Sequence, residues 1–265
     1  MIEPHRAPKI DINKIEINQS SISMYLKCAR QYKFRYVDKL KDKPGIALLE
    51  GSSHHKALEH NNLHKRKTAR DLKPKQLTET FIEDLRLRVK EEGGAEGVEW
   101  NGEDENKLHT RAKALHVDYM LECAPLIKPE MVEEKFEKVV KVDGIEITLF
   151  GTVDLTIEGA VLDYKTTSKA KSQSEVDNSL QGTLYMLAAK KPDFGMVQLV
   201  KTSNPYTGIL MSHKKRTAQD ILWGLRVAKE VALAIQSEQF PMCDPASWAC
   251  QPRWCGYYSR CRGAK

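Results

Sequence analysis

The sequence lacks long hydrophobic runs, and no stretch approaches the roughly 18 apolar residues that a membrane-spanning helix needs. Residues Met1–Lys14 are polar and lack the apolar core of a secretory signal peptide. Internal repeats and low-complexity segments are also absent, which excludes solenoid and fibrous architectures. We therefore expect a cytoplasmic, or at least intracellular, protein that has no membrane partner.

Cysteine is scarce, with six residues among 265, and an intracellular protein should keep them reduced. Four of the six nevertheless lie within the last 23 residues. Such clustering indicates zinc or iron–sulfur chemistry, because four thiolates bind either group well. Three ligands would be Cys250, Cys255 and Cys261, and the fourth would be either nearby Cys243 or distant Cys28. Buried free thiols are the structural alternative.

The length and composition, 41% hydrophobic and 29% charged, allow one sizeable core, or one core with an appended lobe. The net charge of +6 is compatible with a polyanionic partner. A solvated helix face explains any single basic cluster, but several clusters around one site favour a track for a phosphate backbone. The clusters assigned to DNA binding are Lys169 with Lys171, and Lys214 and Lys215 with Arg216.

Short apolar segments separated by glycine turns predict three consecutive strands in the middle of the chain. The segments are Val139–Val142, Ile145–Ile157 and Ala160–Thr166, and the turns are Asp143-Gly144 and Glu158-Gly159. Apolar periodicity predicts the other elements. The first predicted helix begins at Ser20 or Ser21 and ends at about Tyr36, and the second begins at Gly51. Four more helices are predicted over Pro74–Lys90, Asp104–Cys123, Ser174–Lys190 and Thr217–Glu238. Two more strands are predicted over Gly195–Thr202 and Gly208–Ser212.

Two carboxylates and a lysine lie on the second and third of these strands. Residues two apart on a strand share a face, so Asp163 and Lys165 point the same way and Tyr164 points opposite. Asp154 on the neighbouring strand can reach the same place across the hairpin. Metal-dependent phosphodiester hydrolysis uses this set, because carboxylates bind Mg²⁺ or Mn²⁺ and an ammonium orients the attacking water. A surface hairpin with solvated side chains is the structural alternative.

Helical spacing brings other polar side chains together in pairs. Gln181 and Tyr185 are i,i+4 neighbours, which either complete the edge of the core or hold a phosphate or base. His55 is related in the same way to Glu59, but a lone histidine on a helix is more often structural. The other histidines of this region are assigned to the surface: His54, His60 and His64.

Short motifs occur in a fixed order: Gly51-x3-His55, Gly151-Thr152-Val153-Asp154, Asp163-Tyr164-Lys165 and Gln181-x3-Tyr185. As an ordered set they resemble the RecB-type branch of the PD-(D/E)XK nuclease superfamily, which includes the CRISPR-associated RecB-like exonucleases and the AddB nuclease domain. The resemblance extends from about Ser21 to Cys261. Cys28 with its neighbours, and the C-terminal cysteines, resemble the cysteines that bind an iron–sulfur cluster in that branch and so tie the two ends of the chain together.

The resemblance implies a restriction-endonuclease-like α/β fold with a mixed central sheet flanked by helices. It also implies an inserted N-terminal helical lobe and a cysteine-rich C-terminal tail. The expected segments are an arm, 1–18; the helical lobe with Cys28 and His55, 19–130; the nuclease core, 131–239; and the tail, which packs back on the N-terminal helix, 240–265.

The same resemblance implies roles for the site residues. Lys165 would position the attacking water, and Gln181 and Tyr185 would shape the site around the scissile phosphate. Glu133 or Glu134 would match the acidic position ahead of the hairpin. The implied ligands of Mg²⁺ or Mn²⁺ are His55, Asp154, Asp163 and the backbone carbonyl of Tyr164.

The resemblance further implies a [4Fe–4S] cluster bound by Cys28, Cys250, Cys255 and Cys261. The branch usually spaces its last cysteines as Cys-x2-Cys-x5-Cys, whereas the first gap in this chain is Cys-x4-Cys. Zinc at the same sulfurs, or Cys243 in place of one of them, is therefore the alternative.

Together these features predict a metal-dependent DNA exonuclease that hydrolyses phosphodiester bonds from ends. Single-stranded DNA is the expected substrate, and a helicase or recombination protein is an expected partner. An endonuclease or flap nuclease of the same fold is one alternative. Another is a non-catalytic DNA-binding scaffold, but such copies usually lose a metal carboxylate or the lysine, which this sequence retains.

Overall fold

The computed structural model describes residues 10–11 and 14–263, with side chains from residue 16 onward. Residues 1–9 and 12–13 of the predicted N-terminal arm therefore lie outside the described residues. The rest of the arm forms strands β1 (Ile10–Asp11) and β2 (Lys14–Asn18). None of the helices in the described ranges is both long and apolar enough to cross a lipid bilayer.

Helices and strands follow one another along the rest of the chain. The helices are α1 (Gln19–Lys27), α2 (Ala29–Tyr32), α3 (Ile46–Thr68), α4 (Pro74–Glu91), α5 (Glu105–Glu122), α6 (Gln173–Asp177), α7 (Leu180–Ala189), α8 (Ala218–Gln236) and α9 (Tyr258–Arg262). The remaining strands are β3 (Met131–Val142), β4 (Ile145–Ile157), β5 (Ala160–Thr167), β6 (Asp193–Val200) and β7 (Tyr206–Met211).

The predicted hairpin turns are present. Asp143 and Gly144 have φ angles of 49° and 85°, and Gly159 has a φ of 75°. Positive φ at both Asp143 and Gly144 is typical of a type I′ turn, whose twist matches that of the flanking strands. At the second turn, Gly159 has positive φ and Glu158 does not. The turns therefore make β3 and β4, and then β4 and β5, sequential neighbours.

The strands pair into a mixed sheet with the order β1-β2-β4-β5-β6-β7, and β3 also pairs with β4. Strand β2 is antiparallel to β1 and parallel to β4, with Ile17 opposite Leu149. Strand β5 is antiparallel to β4 and parallel to β6, with Asp163 opposite Met196. Strand β7 is antiparallel to β6. This mixed sheet with helices confirms the predicted α/β class.

The chain divides into two compact units, each assembled from segments that are distant in sequence. The first unit comprises residues 1–42, 135–151 and 218–265, and the second comprises residues 43–134 and 152–217. The division into consecutive segments, 1–18, 19–130, 131–239 and 240–265, stays a prediction.

In the first unit, the C-terminal segment packs on the N-terminal helices through aromatic rings. Tyr32 and Phe240 are stacked with ring centroids 6.2 Å apart. The Tyr257 hydroxyl donates a hydrogen bond of 3.0 Å to the carbonyl of Leu40. These contacts attach a segment that is too short to fold by itself.

In the second unit, one hydrophobic core joins the helices α3, α4 and α5 to the strands. Its side chains come from both the helical region and β4 to β6, so the helices and the site-bearing strands fold together. Fully buried members include Leu58, Phe81, Leu108, Leu115, Tyr119, Leu155 and Val197.

The prediction of the first helix is wrong about where the helix begins and about its running without a break. Asn18 is the N-cap, because its side chain accepts a hydrogen bond of 2.8 Å from the Ser21 amide. The helix ends at Lys27, and Cys28 has extended backbone angles. After α2, residues Lys33–Val37 form a π-helical turn. Cys28 therefore sits at a break between helices.

Other sequence predictions in the second unit also need correction. The helix predicted to open at Gly51 begins at Ile46, with Gly45 as N-cap. The helix predicted over Ser174–Lys190 is two helices, α6 and α7, because Ser172 and Ser179 each cap a separate N-terminus. The assignment of His54 to the surface is wrong, since His54 is 0% exposed.

Candidate functional site

Strand β5 carries an acid and a base on one face, as the alternation predicts. The Nζ of Lys165 lies 2.6 Å from Oδ2 of Asp163, and their side chains are 31% and 2% exposed. Burial raises the pKa of Asp163; Lys165 opposes this rise and the negative charge of Asp154 adds to it. The pair therefore places an ammonium group between a buried carboxyl and solvent.

Tyr164, between these residues, faces the other way and anchors the strand. Its hydroxyl accepts a hydrogen bond of 2.6 Å from Asn62 Nδ2 and lies 3.3 Å from the hydroxyl of Tyr119. All three side chains are buried. Sequence reasoning misses Asn62 and Tyr119, since their only local signal is a place on the inner face of a helix.

Asp154, on β4, is held by the backbone of β5. Its Oδ2 atom accepts a hydrogen bond of 2.8 Å from the Tyr164 N–H. The Nδ1 atom of His55, on α3, lies 3.5 Å from the same carboxylate oxygen. A histidine and an aspartate that are 99 positions apart in the sequence thus meet at one point.

Glu133, on β3, completes a group of potential metal ligands. One ligand atom each from His55, Glu133 and Asp154 lies within 4.8 Å of the others. The φ of Glu133 is 50°, a left-handed conformation that is uncommon for non-glycine residues and often marks a functional site. Glu134 is exposed and does not belong to this group. Of the two predicted alternatives, the structure brings Glu133 to the histidine.

The electrostatics of this group favour a cation. Burial raises the pKa of Glu133 to about 8, and the negative charges of Asp154 and Glu59 raise it as well. Crowded carboxyl groups repel one another when ionised, so a divalent cation among them would be stabilised. The negative charge of Asp163 also raises the pKa of Glu133. Asp163 itself is not one of the three residues whose ligand atoms lie within 4.8 Å of one another.

Helix α7 brings the predicted glutamine and tyrosine to the site. Gln181 Nε2 donates a hydrogen bond of 2.8 Å to Asp163 Oδ1. Tyr185 is buried, its pKa is raised by that burial, and its hydroxyl is hydrogen-bonded to Gln181. The helix approaches β6 closely at Gly182, where a Cβ atom would lie 2.5 Å from Cδ1 of Phe194. The Gln181-x3-Tyr185 motif therefore includes a glycine that permits this packing.

The predicted DNA-binding lysines lie in different surroundings. Lys169 is exposed. Lys171 Nζ donates to a Glu175 carboxylate oxygen at 2.8 Å, and Lys215 forms an ion pair with Asp193. Exposed pairs of this kind are weak, so a phosphate could compete for either lysine.

Arg216 is tied to neighbouring helices. Its guanidinium donates to Thr183 Oγ1 at 3.0 Å and to the carbonyl of Val176 at 3.2 Å. It also donates to the carbonyl of Lys214 at 3.1 Å. These bonds give Arg216 a clear structural task in addition to its predicted contact with DNA.

The clustered cysteines meet in the first unit, around one pocket that Arg30 also lines. Each is free and half-buried, and Arg262 donates a hydrogen bond of 3.3 Å to Cys250 Sγ. Burial acts to raise the pKa of Cys28, but hydrogen bonds from the backbone and from the Cys243 thiol together outweigh it and lower that pKa. The thiols of the pocket are those of Cys28, Cys243, Cys250, Cys255 and Cys261.

The mixed sheet and the Asp163-Tyr164-Lys165 segment facing an acidic cluster define a protein of the restriction-endonuclease-like fold. The sequence profile of the PD-(D/E)XK nuclease superfamily matches residues 16–262, so the chain belongs to that superfamily. None of the curated proteins matches the chain.

Solved structures with low sequence identity are similar to this chain. A crystal structure from Eubacterium rectale, described as that of a candidate exonuclease, has 12% identity and a TM-score of 0.56, with 94% of this chain and 92% of that chain covered. The crystal structure of SSO0001 has 10% identity and a TM-score of 0.44, with coverages of 95% and 87%. At such identities, the E. rectale structure supports the fold alone.

Proposed function

We propose that this chain is a divalent-metal-dependent deoxyribonuclease that degrades single-stranded DNA from its ends. The observation that carries the proposal is the meeting of His55, Glu133 and Asp154 within 4.8 Å. The end-directed mode is part of the proposal; the E. rectale structure, which shares the fold, is described as that of a candidate exonuclease.

The residues present suit Mg²⁺ or Mn²⁺. Carboxylate oxygens are preferred ligands of both ions, and an imidazole is also acceptable to Mn²⁺. The side chains of His55 and Asp154 are 33% and 12% exposed, so solvent reaches the group. A bound metal would polarise the scissile phosphate and lower the pKa of a water molecule. We assign the ligand role to His55, Glu133, Asp154 and Asp163, and to the carbonyl of Tyr164.

Lys165 supplies the positive charge beside this group. Its ammonium is paired with Asp163 and partly exposed, so it can contact an incoming phosphate without leaving its carboxylate. In that position it would orient the attacking water and neutralise charge that develops on the phosphate oxygens. Because Lys165 is anchored in the strand, this charge is placed before the substrate arrives.

Gln181 and Tyr185 would control the shape of the site. Gln181 holds Asp163 through a hydrogen bond of 2.8 Å, which fixes the carboxylate rotamer. Tyr185 lies next along the same helix face and supports Gln181. We infer that this helix positions the scissile phosphate against the carboxylates, with Lys169 and Lys171 contacting the adjacent phosphates.

We also propose that the cysteine pocket binds a [4Fe–4S] cluster through Cys28, Cys250, Cys255 and Cys261. Arg30 lines this pocket. Its Nε atom is buried and has no hydrogen-bond partner among the described residues. The guanidinium can therefore face the negative charge of the thiolates. A single zinc ion would hold its sulfurs about 3.8 Å apart, given Zn–S bonds of about 2.3 Å. Metal analysis of the purified protein distinguishes the cluster from zinc.

The test of the nuclease proposal is a cleavage assay on end-labelled single-stranded DNA with Mn²⁺. Asp163→Ala and Lys165→Ala should each reduce the rate by a factor of about 10²–10³, because removing one preorganised electrostatic group costs that much. The exposed Lys128 supplies a matched control, since Lys128→Ala should cleave like the wild type. Thermal melting of each variant separates lost chemistry from lost folding.

Substrate topology separates the alternatives. Circular single-stranded DNA should resist an end-requiring enzyme, whereas an endonuclease would cut it. A flap substrate cut at its junction would favour the flap nuclease. A wild-type protein that cleaves neither DNA nor RNA with Mg²⁺ or Mn²⁺ would show that the proposal is wrong and favour the non-catalytic scaffold.

A further inference from the structure

Two tryptophans of the C-terminal segment are exposed side by side in the first unit. Trp248 is 66% exposed and Trp254 is 54% exposed. Their ring centroids lie 6.4 Å apart, with the planes at 81°. Exposing one large aromatic ring is ordinary, but a neighbouring pair on a surface often marks a binding site.

A cation lies over each of these rings. The Nζ of Lys27 is 5.2 Å from the ring centroid of Trp248, and the Cζ of Arg253 is 5.0 Å from that of Trp254. Such contacts hold positive charge next to the aromatic faces. Lys27 comes from the end of α1 and Arg253 from the C-terminal segment, so the arrangement depends on the fold of this unit.

The segments that carry the tryptophans and Lys27 are almost devoid of negative charge. Residues 19–37 contain four lysines or arginines and no acidic residue. Residues 240–263 contain three arginines and a single acidic residue, Asp244. A surface with this charge suits a polyanion such as a nucleic acid and disfavours a basic or purely apolar partner.

We propose that this part of the protein is a binding surface for single-stranded nucleic acid, formed by Trp248, Trp254, Lys27 and Arg253. We call it the stacking surface. Unpaired bases stack on the indole rings, and the two cations move from the ring faces to the flanking phosphates. Duplex DNA fits less well, because its bases already stack on one another and are unavailable to the indoles. The choice of nucleic acid as ligand rests on the proposed function, whereas the surface itself is distinct from the metal-binding group.

Two contacts hold the backbone beside the tryptophans. The Trp254 amide donates to the carbonyl of Gln251 at 2.9 Å. Ala249, next to Trp248, is 4% exposed and anchors the chain.

A binding assay without cleavage tests the inference. Anisotropy of a dye-labelled oligothymidylate is measured in EDTA, so that no divalent metal is present. The double variant Trp248→Ala/Trp254→Ala should bind at least about tenfold more weakly than the wild type, given the usual contribution of stacking. Trp223 is the matched control, because it is 58% exposed and no cation lies over its ring among the described residues. Trp223→Ala should bind like the wild type.

An abasic oligonucleotide of equal length distinguishes stacking from a structural effect. This oligonucleotide retains the phosphates but has no bases, so the wild type should bind it more weakly than it binds oligothymidylate. The double alanine variant should bind the abasic oligonucleotide with the same affinity as the wild type does. Trp248→Phe/Trp254→Phe should recover part of the affinity for oligothymidylate, since phenylalanine also stacks. Equal loss on normal and abasic strands, or no loss on either, would overturn the stacking surface.

Failure of this inference differs from failure of the proposed nuclease. A protein that binds through the tryptophans but does not cleave with Mn²⁺ supports the stacking surface and contradicts the nuclease proposal. A protein that cleaves single strands, but whose double tryptophan variant binds like the wild type, supports the nuclease and contradicts the stacking surface.

Discussion

Asp154 is fixed by the backbone of Tyr164: its Oδ2 atom accepts the Tyr164 N–H at 2.8 Å. Tyr164 lies between Asp163 and Lys165 in the chain, so this bond aligns the carboxylate of β4 with both side chains of β5. The same oxygen is 3.5 Å from His55 Nδ1. The aspartate therefore links two strands and a helix at one point, and small shifts there should affect metal binding.

The first prediction concerns the two adjacent glutamates. Glu133→Gln should weaken Mn²⁺ binding by about tenfold or more, because it removes one carboxylate from the ligand group without changing side-chain size. Isothermal titration calorimetry with MnCl₂ measures this directly. Glu134→Gln is the control, and it should bind Mn²⁺ like the wild type because Glu134 is exposed outside the group. The reverse pattern would move the ligand role to Glu134.

The second prediction concerns packing beneath the Gln181-x3-Tyr185 motif. In Gly182→Ala, the new Cβ would meet the Phe194 ring at 2.5 to 2.8 Å. Overpacking of this kind costs about 1–3 kcal/mol, which urea unfolding would measure. Displacement of the helix should also lower the cleavage rate, because Gln181 would lose its bond to Asp163.

Gly208 supplies a matched glycine for that experiment. A Cβ at Gly208 meets no atom within 4 Å, so Gly208→Ala should leave stability and cleavage close to those of the wild type. Equal stability of Gly182→Ala and Gly208→Ala would contradict the role of close packing at α7.

The third prediction concerns acid sensitivity from buried histidines. Burial lowers the pKa of His116 to about 3 from an ordinary value of 6.5. His116 Nε2 lies 3.1 Å from His54 Nδ1, and its Nδ1 lies 3.0 Å from Thr78 Oγ1. Between these pKa values the unfolded chain binds a proton that the folded chain does not. The free energy of unfolding should therefore fall as the pH drops below 6.5, by up to about 1.4 kcal/mol per pH unit for this group.

Urea unfolding between pH 7 and pH 5 tests this slope. His116→Gln should be less stable at pH 7, because it disturbs the bonds to His54 and Thr78, but its stability should vary less with pH. His109→Gln is the control at an exposed histidine and should keep the wild-type slope. An unchanged slope in His116→Gln would show that other groups cause the acid sensitivity.

The fourth prediction concerns the cysteine pocket. The purified protein should be brown, with broad visible absorption and stoichiometric iron. Cys28→Ser and Cys250→Ser should lose iron and be less stable, whereas Cys123→Ser should retain iron because Cys123 is a buried thiol of the second unit. If Cys243 replaces a ligand, Cys243→Ser will lose iron as well. A colourless protein with stoichiometric zinc would contradict the assignment of an iron–sulfur cluster.

Elements with strong local signals could be predicted from the sequence. The turn at Asp143-Gly144 requires positive φ, which glycine supplies readily, and the neighbouring alternation of apolar residues indicates strands. The placement of Asp163 and Lys165 on one face follows from the two-residue period of a strand alone. The ordered motifs likewise predict the superfamily, which the profile match confirms.

Other features depend on contacts between distant residues. The choice between Glu133 and Glu134 cannot be read locally, because the left-handed φ of Glu133 breaks the alternation of β3. His54 looks like a surface residue in a polar helix, yet it packs beside His116. The break at Cys28 similarly interrupts the helix predicted to run to Tyr36, whose apolar positions are only partly helical in period.

The sequence by itself determined the strand hairpins and the Asp163 and Lys165 pair, because each depends on neighbours within a few residues. It also determined the superfamily, because the order of several short motifs along the chain is visible without the fold. Only the tertiary structure decided that Glu133 joins His55 and Asp154, that the cysteines share a pocket and that Trp248 lies beside Trp254. The physical reason is that these groups converge through packing of distant segments, which no local periodicity encodes.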